Sequence, residues 1–246
     1  MDDSVQFEKE SNNRIEMQGN DLHLQRTSLN WLMETAPYQY SYNYKWMGRP
    51  IIQLPQDILA MQELIWSIKP DLVIETGVAR GGSVVFYASM MELLGNGGKV
   101  IGIDIDIREH NRAEIEKHPM YKNIHLIEGS STDLAIVGSI NDYIKKNRCE
   151  KILVALDSDH AHEHVLEELR LYSPFVKKGS YIVVFDTAIE DMPQSYFNDK
   201  PWGKGSNAKT AVYSFLKENK RFEIDKKIDA KLLISVAPDG YLKCIK

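Results

Sequence analysis

Two aspartates that could hold a metal ion each follow an apolar, strand-like run, and a histidine lies three residues after the first of them. Asp157 comes directly after "ILVAL", and Asp186 comes directly after "YIVVF", with Thr187 beside it. These oxygen ligands suit Mg²⁺, which binds few protein groups and keeps several waters. His160 lies three residues beyond Asp157. A histidine with a pKa near neutrality could take a proton from a hydroxyl placed at such a metal.

The same segment, "LVALDSDHAHEHVLEEL", contains two more histidines. His160 and His164 could share a helix face, but His162 could not, so the three are not expected to bind one metal ion together. We predict that His162 and His164 are solvated or pack on the following helix. Asp159 is expected to help form the turn before it.

A glycine turn after an earlier apolar run, "DLVIETGVARGGSVV", could bind a cofactor. Gly77 and Gly81 would let a ligand approach the backbone. Glu75 ends the strand and would repel a pyrophosphate, but it would attract the sulfonium and amino group of S-adenosylmethionine. Asp104 ends the next strand and could accept hydrogen bonds from a ribose diol in either S-adenosylmethionine or NAD. Glu75 therefore favours S-adenosylmethionine, with an NAD(P)-dependent oxidoreductase as the alternative.

A third strand-like run ends in "LIEGSSTD" and places Ser130 and Ser131 near the same site. Their hydroxyl groups could reach an adenine edge. The segment is equally typical of a helix N-cap.

Five apolar runs alternate with helix-length segments, and this pattern predicts a mostly parallel sheet with helices on both faces. The predicted strands are Leu72–Glu75, Val100–Asp104, Ile124–Glu128, Ile152–Asp157 and Tyr181–Asp186. In open α/β sheets, ligands bind at the carboxyl ends of the strands. The candidate residues above all follow such ends, so we expect them to lie close together.

The rest of the chain gives weaker patterns. Residues 1–19 look disordered. The predicted helices are Asp21–Thr35, Gln56–Ile68 and Ala208–Glu218, and the last two strands are placed at Phe222–Asp225 and Lys231–Val236.

We divide the chain into an N-terminal extension and lid (1–55) and a catalytic domain (56–246). A substrate could rest between the tyrosine-rich lid and the 193–207 loop, against Tyr44, Trp46, Arg49 or Trp202.

Composition narrows the class of partner. The net charge of −5 and the lack of a dense basic block argue against nucleic acid. No run approaches the roughly 20 apolar residues that a membrane span needs, and residues 1–17 have no signal-peptide or transit-peptide pattern. Cys149 and Cys244 lie far apart, which favours a reduced, cytoplasmic setting. A small-molecule, sugar or glycan partner is expected, and a homo-oligomer is left open.

Several long motifs in order resemble the cephalosporin-hydroxylase-type family. They extend from about Tyr42 to Tyr241 and include "YNYKWMGRPIIQLPQDI", "IETGVARGGS", "IGIDIDIR", "LDSDHAHEHV" and "VVFDTAIED". The resemblance implies a doubly wound, Rossmann-like, seven-stranded, mostly parallel sheet with an antiparallel last strand. The residues before it are expected to form an N-terminal helical extension. It also implies an S-adenosylmethionine pocket. The residues implied for that pocket are Gln53, Glu75, Gly77, Gly81, Ser83, Asp104, Ser131 and Asp157.

Members and near relatives of this family methylate hydroxyls on antibiotics or sugars. The resemblance therefore implies a Mg²⁺-dependent O-methyltransferase in which Asp157 and Asp186 bind the metal and His160 is the base, as in macrolide sugar O-methyltransferases. Such enzymes often have two adjacent acids after the fifth strand, but here Phe185 precedes Asp186. Thr187, Glu190 or a water is then expected to supply the remaining ligand. A glycan-binding scaffold without activity is the other alternative.

Overall fold

The structure is a computed structural model that describes residues 2–246. The strands are β1 (Tyr44–Trp46), β2 (Arg49–Ile51), β3 (Leu72–Thr76), β4 (Lys99–Asp104), β5 (Ile124–Glu128), β6 (Ile152–Leu156), β7 (Tyr181–Val184), β8 (Phe222–Ile224) and β9 (Tyr241–Cys244). The helices are α1 (Asp3–Gly19), α2 (Leu22–Thr35), α3 (Pro55–Ile68), α4 (Gly82–Leu94), α5 (Glu109–Glu116), α6 (Leu134–Asn147), α7 (His162–Tyr172), α8 (Ala208–Glu218) and α9 (Lys226–Leu232).

Seven of these strands form one sheet in the order β5-β4-β3-β6-β7-β9-β8. The first five in this order are parallel, and β9 runs antiparallel between β7 and β8. The predicted seven-stranded, mostly parallel sheet is therefore confirmed. The chain moves outward from β3 to β5 and then returns to β6, so the direction of winding reverses between β3 and β6. A ligand crevice is expected at that switch point.

The sheet has an apolar core on each face. Successive side chains of a strand point to opposite faces, and accordingly Val73 packs in one core while Leu72 and Ile74 pack in the other. Helices α3 and α4 contribute to the first core, and α6, α7 and α8 contribute to the second. Every residue of β3 and β6 is buried, which holds the carboxyl ends of these strands in fixed positions.

The N-terminal extension departs from the prediction. Residues 1–19 were expected to be disordered, and for the described residues this is wrong, because α1 begins directly after its cap Asp2. The Gln18 side chain donates to the carbonyls of Ala230 and Lys231 at 2.8 and 3.1 Å, which fixes α1 on α9. Met1 lies outside the described residues. The contact joins distant parts of the chain, so local composition does not reveal it.

The last predicted strand is also wrong. Residues 226–232 form α9 with Asp225 as its N-cap, and Leu233 ends the helix with a positive φ of 60°. Val236 does not enter the sheet, because its N–H donates to the buried carboxylate of Asp57 at 3.0 Å. The strand lies instead at Tyr241–Cys244. The apolar run "LLISV" looked more strand-like than "YLKC", but tertiary contacts override that preference.

In the described range, 2–246, no helix combines the length and apolar character needed to cross a bilayer.

Candidate active site

Asp157, His160 and Asp186 come together at the carboxyl edge of the sheet. Each offers one ligand atom, and the three atoms all lie within 4.8 Å of one another. Asp157 follows β6 and Asp186 follows the neighbouring parallel strand β7, so the sheet itself brings the two carboxylates together. His160 Nε2 lies 3.3 Å from Asp186 Oδ2. Two carboxylates with an imidazole beside them fit a divalent cation and a neighbouring proton acceptor.

The electrostatics of this cluster also fit a cation. Burial, the Asp186 carboxylate and the Glu75 carboxylate raise the pKa of Asp157 well above its usual value. Like charges held this close disfavour each other's ionisation. A bound divalent ion would reverse that effect, because it is the largest local charge in such a site.

The aromatic neighbour of His160 is Trp202. Their rings meet edge to face with centroids 4.8 Å apart, and the His160 side chain is 20% exposed. Of the four predicted acceptor surfaces, the structure places Trp202 beside the cluster. Trp46 instead donates to Ser89 at 2.9 Å, and Arg49 donates to the Arg80 carbonyl.

Thr187 is not brought into the cluster. It is fully buried, and its hydroxyl donates to the Pro238 carbonyl at 2.6 Å. Glu190 is likewise engaged elsewhere, since its carboxylate accepts from the Gly205 N–H and the Asn207 side chain. Neither Thr187 nor Glu190 is therefore placed to supply the remaining metal ligand.

Asp157 also lines a small pocket that contains four of the predicted cofactor residues. Gln53, Gly77, Ser83 and Asp157 line the same cavity of about 30 Å³. A Cβ on Gly77 would overlap the Asp157 carbonyl oxygen, and Gly77 has a φ of 89°. Glycine is therefore required where the two loops meet. A nucleoside-sized ligand needs the surrounding segments to separate.

Unpartnered polar atoms point to a ligand beside this pocket. Glu75 is fully buried, and one of its oxygens accepts from Ser83 at 2.9 Å. Among the described residues, its other oxygen has no hydrogen-bond partner, and neither do the buried amide atoms of Gln53. Burial raises the pKa of Glu75 to about 8. Buried polar groups are nearly always paired, so these atoms fit a polar, cationic ligand group.

Asp104 and Gly81 lie at the glycine turn but make other contacts. The Asp104 carboxylate accepts the N–H groups of Val78 and Ala79 at 2.8 and 2.9 Å, so it fixes the turn. The Gly81 N–H donates to the Val78 carbonyl. The predicted contact of Asp104 with a ribose remains a prediction.

The structure links Ser131 to a polar network that sequence reasoning missed. His164 Nε2 lies 3.1 Å from the hydroxyl oxygens of both Ser131 and Ser158. The fully buried Glu168 accepts from Ser158 at 2.7 Å and lies 3.4 Å from His164. Tyr172 donates to the Ser131 carbonyl at 2.8 Å. The network therefore joins the loop after β5 to the residue that follows Asp157.

His164, Glu168 and Tyr172 recur at intervals of four residues, which places them on one face of α7. That spacing is the signal that could have found the network. His162 faces elsewhere and lies 2.7 Å from the Thr210 hydroxyl of α8, in agreement with the predicted packing role.

The family follows from a comparison with known sequences. A family model described as Rhamnosyl O-methyltransferase/CmcI matches residues 38–245. The chain belongs to this family. A rhamnosyl O-methyltransferase of Mycobacterium leprae (strain TN) is 34% identical over 148 residues, which are 60% of this chain and 62% of that protein. This chain therefore spans about three fifths of the length of that curated relative.

Solved structures support the same fold. A structure of CmcI with Mg and SAM has a TM-score of 0.57 and 19% identity, and the match covers 83% of this chain and 78% of that one. An apo structure of CmcI has a TM-score of 0.60 and 18% identity, with 83% and 77% covered. The family model does not cover α1 and α2 of this chain, but it does cover Asp157, His160 and Asp186.

The Glu168→Gln variant keeps the shape of the Glu168 side chain in the α7 network but removes its charge, so it should show how much that charge contributes to stability. The Glu168 carboxylate raises the pKa of His164, against the opposing effect of burial. A raised histidine pKa stabilises the fold fully below the unfolded-state pKa, and this stability is lost as the pH rises through the folded-state pKa. We expect the variant to lose about 1–3 kcal/mol of unfolding free energy near pH 5.5, and less at pH 8.5. Urea unfolding at both pH values measures this.

Glu167→Gln is the matched control, because Glu167 is an exposed neighbour whose ion pair with Arg170 is at the surface. An equal loss for Glu168→Gln at both pH values would show that the His164 charge contributes nothing.

Proposed function

We propose that this chain is a divalent-metal-dependent S-adenosylmethionine O-methyltransferase that acts on a hydroxyl of a sugar or glycan. One observation carries the proposal: Asp157 belongs both to the group of side chains that could hold a metal ion, with His160 and Asp186, and to the pocket beside the buried Glu75. We call this group the metal cluster below. A methyl donor and an acceptor hydroxyl would thus meet at one residue. The solved CmcI structure with Mg and SAM and the rhamnosyl O-methyltransferase relatives support this assignment.

Glu75 and Gln53 would bind the methionyl end of S-adenosylmethionine. The unpartnered Glu75 oxygen would accept from the cationic amino group. The Gln53 amide nitrogen would donate to the carboxylate of the ligand, and the Gln53 amide oxygen would accept from its amino group. A cation at this position favours the ionised form of Glu75, whose pKa is raised to about 8 in its buried site. Binding of the ligand would therefore give the buried Glu75 carboxylate the partner that it lacks.

Asp157, Asp186 and His160 would act on the acceptor. A divalent cation at the two carboxylates would lower the pKa of the acceptor hydroxyl and fix its orientation. His160 would receive the hydroxyl proton on an imidazole nitrogen, and the Asp186 carboxylate, 3.3 Å away, would stabilise the resulting positive charge. Trp202 covers one edge of the imidazole and would exclude water there.

Ligand-dependent stability tests the proposal against the NAD(P)-dependent oxidoreductase. A ligand at 100 times its dissociation constant adds about 2.7 kcal/mol to the unfolding free energy. We expect S-adenosylhomocysteine to raise the melting temperature and NADH to leave it unchanged, because the buried Glu75 disfavours a pyrophosphate. Stabilisation by NADH alone would overturn the proposal.

A further inference from the structure

A second and much larger cavity lies between the N-terminal helices and the C-terminal part of the chain. Its volume is about 1330 Å³. Helices α1 and α2 form one wall, and the rest of the lining comes from α9, the turn at 187–191 and the segment before β9. The start of β9 lies next to the carboxyl end of β7, so the cavity opens at the same edge of the sheet as Asp157 and Asp186.

Two segments lead from the cluster to this cavity. Ala188, two residues after Asp186, lines the cavity. Lys204 also lines it and follows two residues after Trp202, the aromatic neighbour of His160. The loop between them is tied to α2, since the Tyr196 hydroxyl donates to the Met33 carbonyl at 3.3 Å. An acceptor whose hydroxyl lies at the cluster could therefore extend into this space.

The lining of the cavity indicates a neutral, hydroxyl-rich ligand. Five carboxylates and four basic side chains line it, which is close to charge balance. Carboxylates accept hydrogen bonds from hydroxyl groups, and the apolar side chains of Ile15, Leu29 and Leu32 offer a surface for the C–H faces of sugar rings. The cavity exceeds the roughly 300–1,000 Å³ of ordinary small-molecule pockets, so it has room for more than one sugar ring.

The wall formed by α1 and α2 is outside the residues that match the family, 38–245. We propose that this helix pair forms a subsite for the part of a neutral oligosaccharide acceptor that lies beyond the methylated sugar. The proposal rests on the proposed function. It assigns acceptor-length specificity to a segment that contributes nothing to the metal cluster or to the Glu75 pocket.

Leu29→Trp and Leu32→Trp should fill the subsite from α2. Leu22→Trp is the matched control, because Leu22 lies on the same helix, is 66% exposed and does not line the cavity. The probes are methyl α-rhamnoside and a rhamnose trisaccharide. We expect each cavity variant to lower kcat/KM for the trisaccharide about tenfold or more, and to change it less than about twofold for the monosaccharide and for the control. Calorimetry should show weaker trisaccharide binding and unchanged S-adenosylhomocysteine binding.

Equal kcat/KM values for the two acceptors in the wild-type protein would overturn the subsite alone, and so would cavity variants that affect both acceptors equally. If the wild-type protein binds no S-adenosylhomocysteine and methylates neither acceptor, the proposed function fails as well. The two failures are distinguishable, because S-adenosylhomocysteine binding does not depend on the α1–α2 wall.

Discussion

Replacement of Asp157 by asparagine is expected to abolish most methyl transfer while the protein stays folded. The change keeps the shape of the side chain but removes one of the two carboxylates that would hold the metal. Removal of one oxyanion-hole donor in other enzymes costs roughly 10²–10³ in kcat, and we expect a loss of about this size here. The fold should become more stable, because Asp186 and Glu75 no longer face a third like charge. We also expect weaker Mg²⁺ binding. Methyl transfer, urea unfolding and Mg²⁺ titration of the same preparation measure these three effects.

Asp159→Asn is the matched control for this variant. Asp159 lies two residues away, and its carboxylate accepts the Ala161 N–H at 2.7 Å within the turn, a bond that asparagine can retain. We expect the control to keep nearly full activity and its response to Mg²⁺. If Asp157→Asn transferred methyl groups as fast as the wild-type protein, the metal role of Asp157 would be refuted.

Glu75→Gln should have opposite effects on stability and on cofactor binding. Glu75 is an acid whose folded-state pKa is raised to about 8. Between the unfolded-state pKa near 4.3 and this value, the folded protein keeps a proton that the unfolded chain has lost. Stability therefore falls as the pH rises through this window. Glutamine cannot ionise, so the variant should gain stability over the wild-type protein, and more at pH 8 than at pH 5.

The same substitution should weaken S-adenosylmethionine binding about 10- to 100-fold, because a hydrogen bond to a charged group contributes about 1.5–3 kcal/mol. Glu128→Gln is the control, since Glu128 also ends a strand of the sheet but is exposed and paired with Arg112. Calorimetry and urea unfolding at the two pH values measure these effects. Unchanged affinity in Glu75→Gln would remove Glu75 from the cofactor site.

The meeting of Asp157 and Asp186 was predictable, because each follows an apolar run and neighbouring parallel strands end at one edge. The orientation of the Thr187 side chain could not be predicted. Asp186 has a left-handed backbone with a φ of 55°, and the following side chain turns inward to Pro238. The position of Thr187 next to Asp186 in the sequence does not predict the direction of its side chain, since only the packing around the turn makes this backbone conformation favourable.

The contacts that sequence reasoning missed join segments far apart in the chain. The helix α1 has no buried residue, and its place depends on contacts with α9 more than 200 residues away. His164 was expected to be solvated or to pack on its helix. It instead lies between Ser131 and Ser158, which follow two different strands. Local periodicity predicts elements well, but it does not show which polar side chains will face each other after folding.

The most direct test is methyl transfer by the wild-type protein before and after removal of divalent metal. The measurement follows the labelled methyl group of S-adenosylmethionine to methyl α-rhamnoside and the rhamnose trisaccharide. The cluster of Asp157, His160 and Asp186 predicts that transfer is lost in a chelator and returns when Mg²⁺ is added. Full transfer in the presence of the chelator would contradict the metal-dependent mechanism.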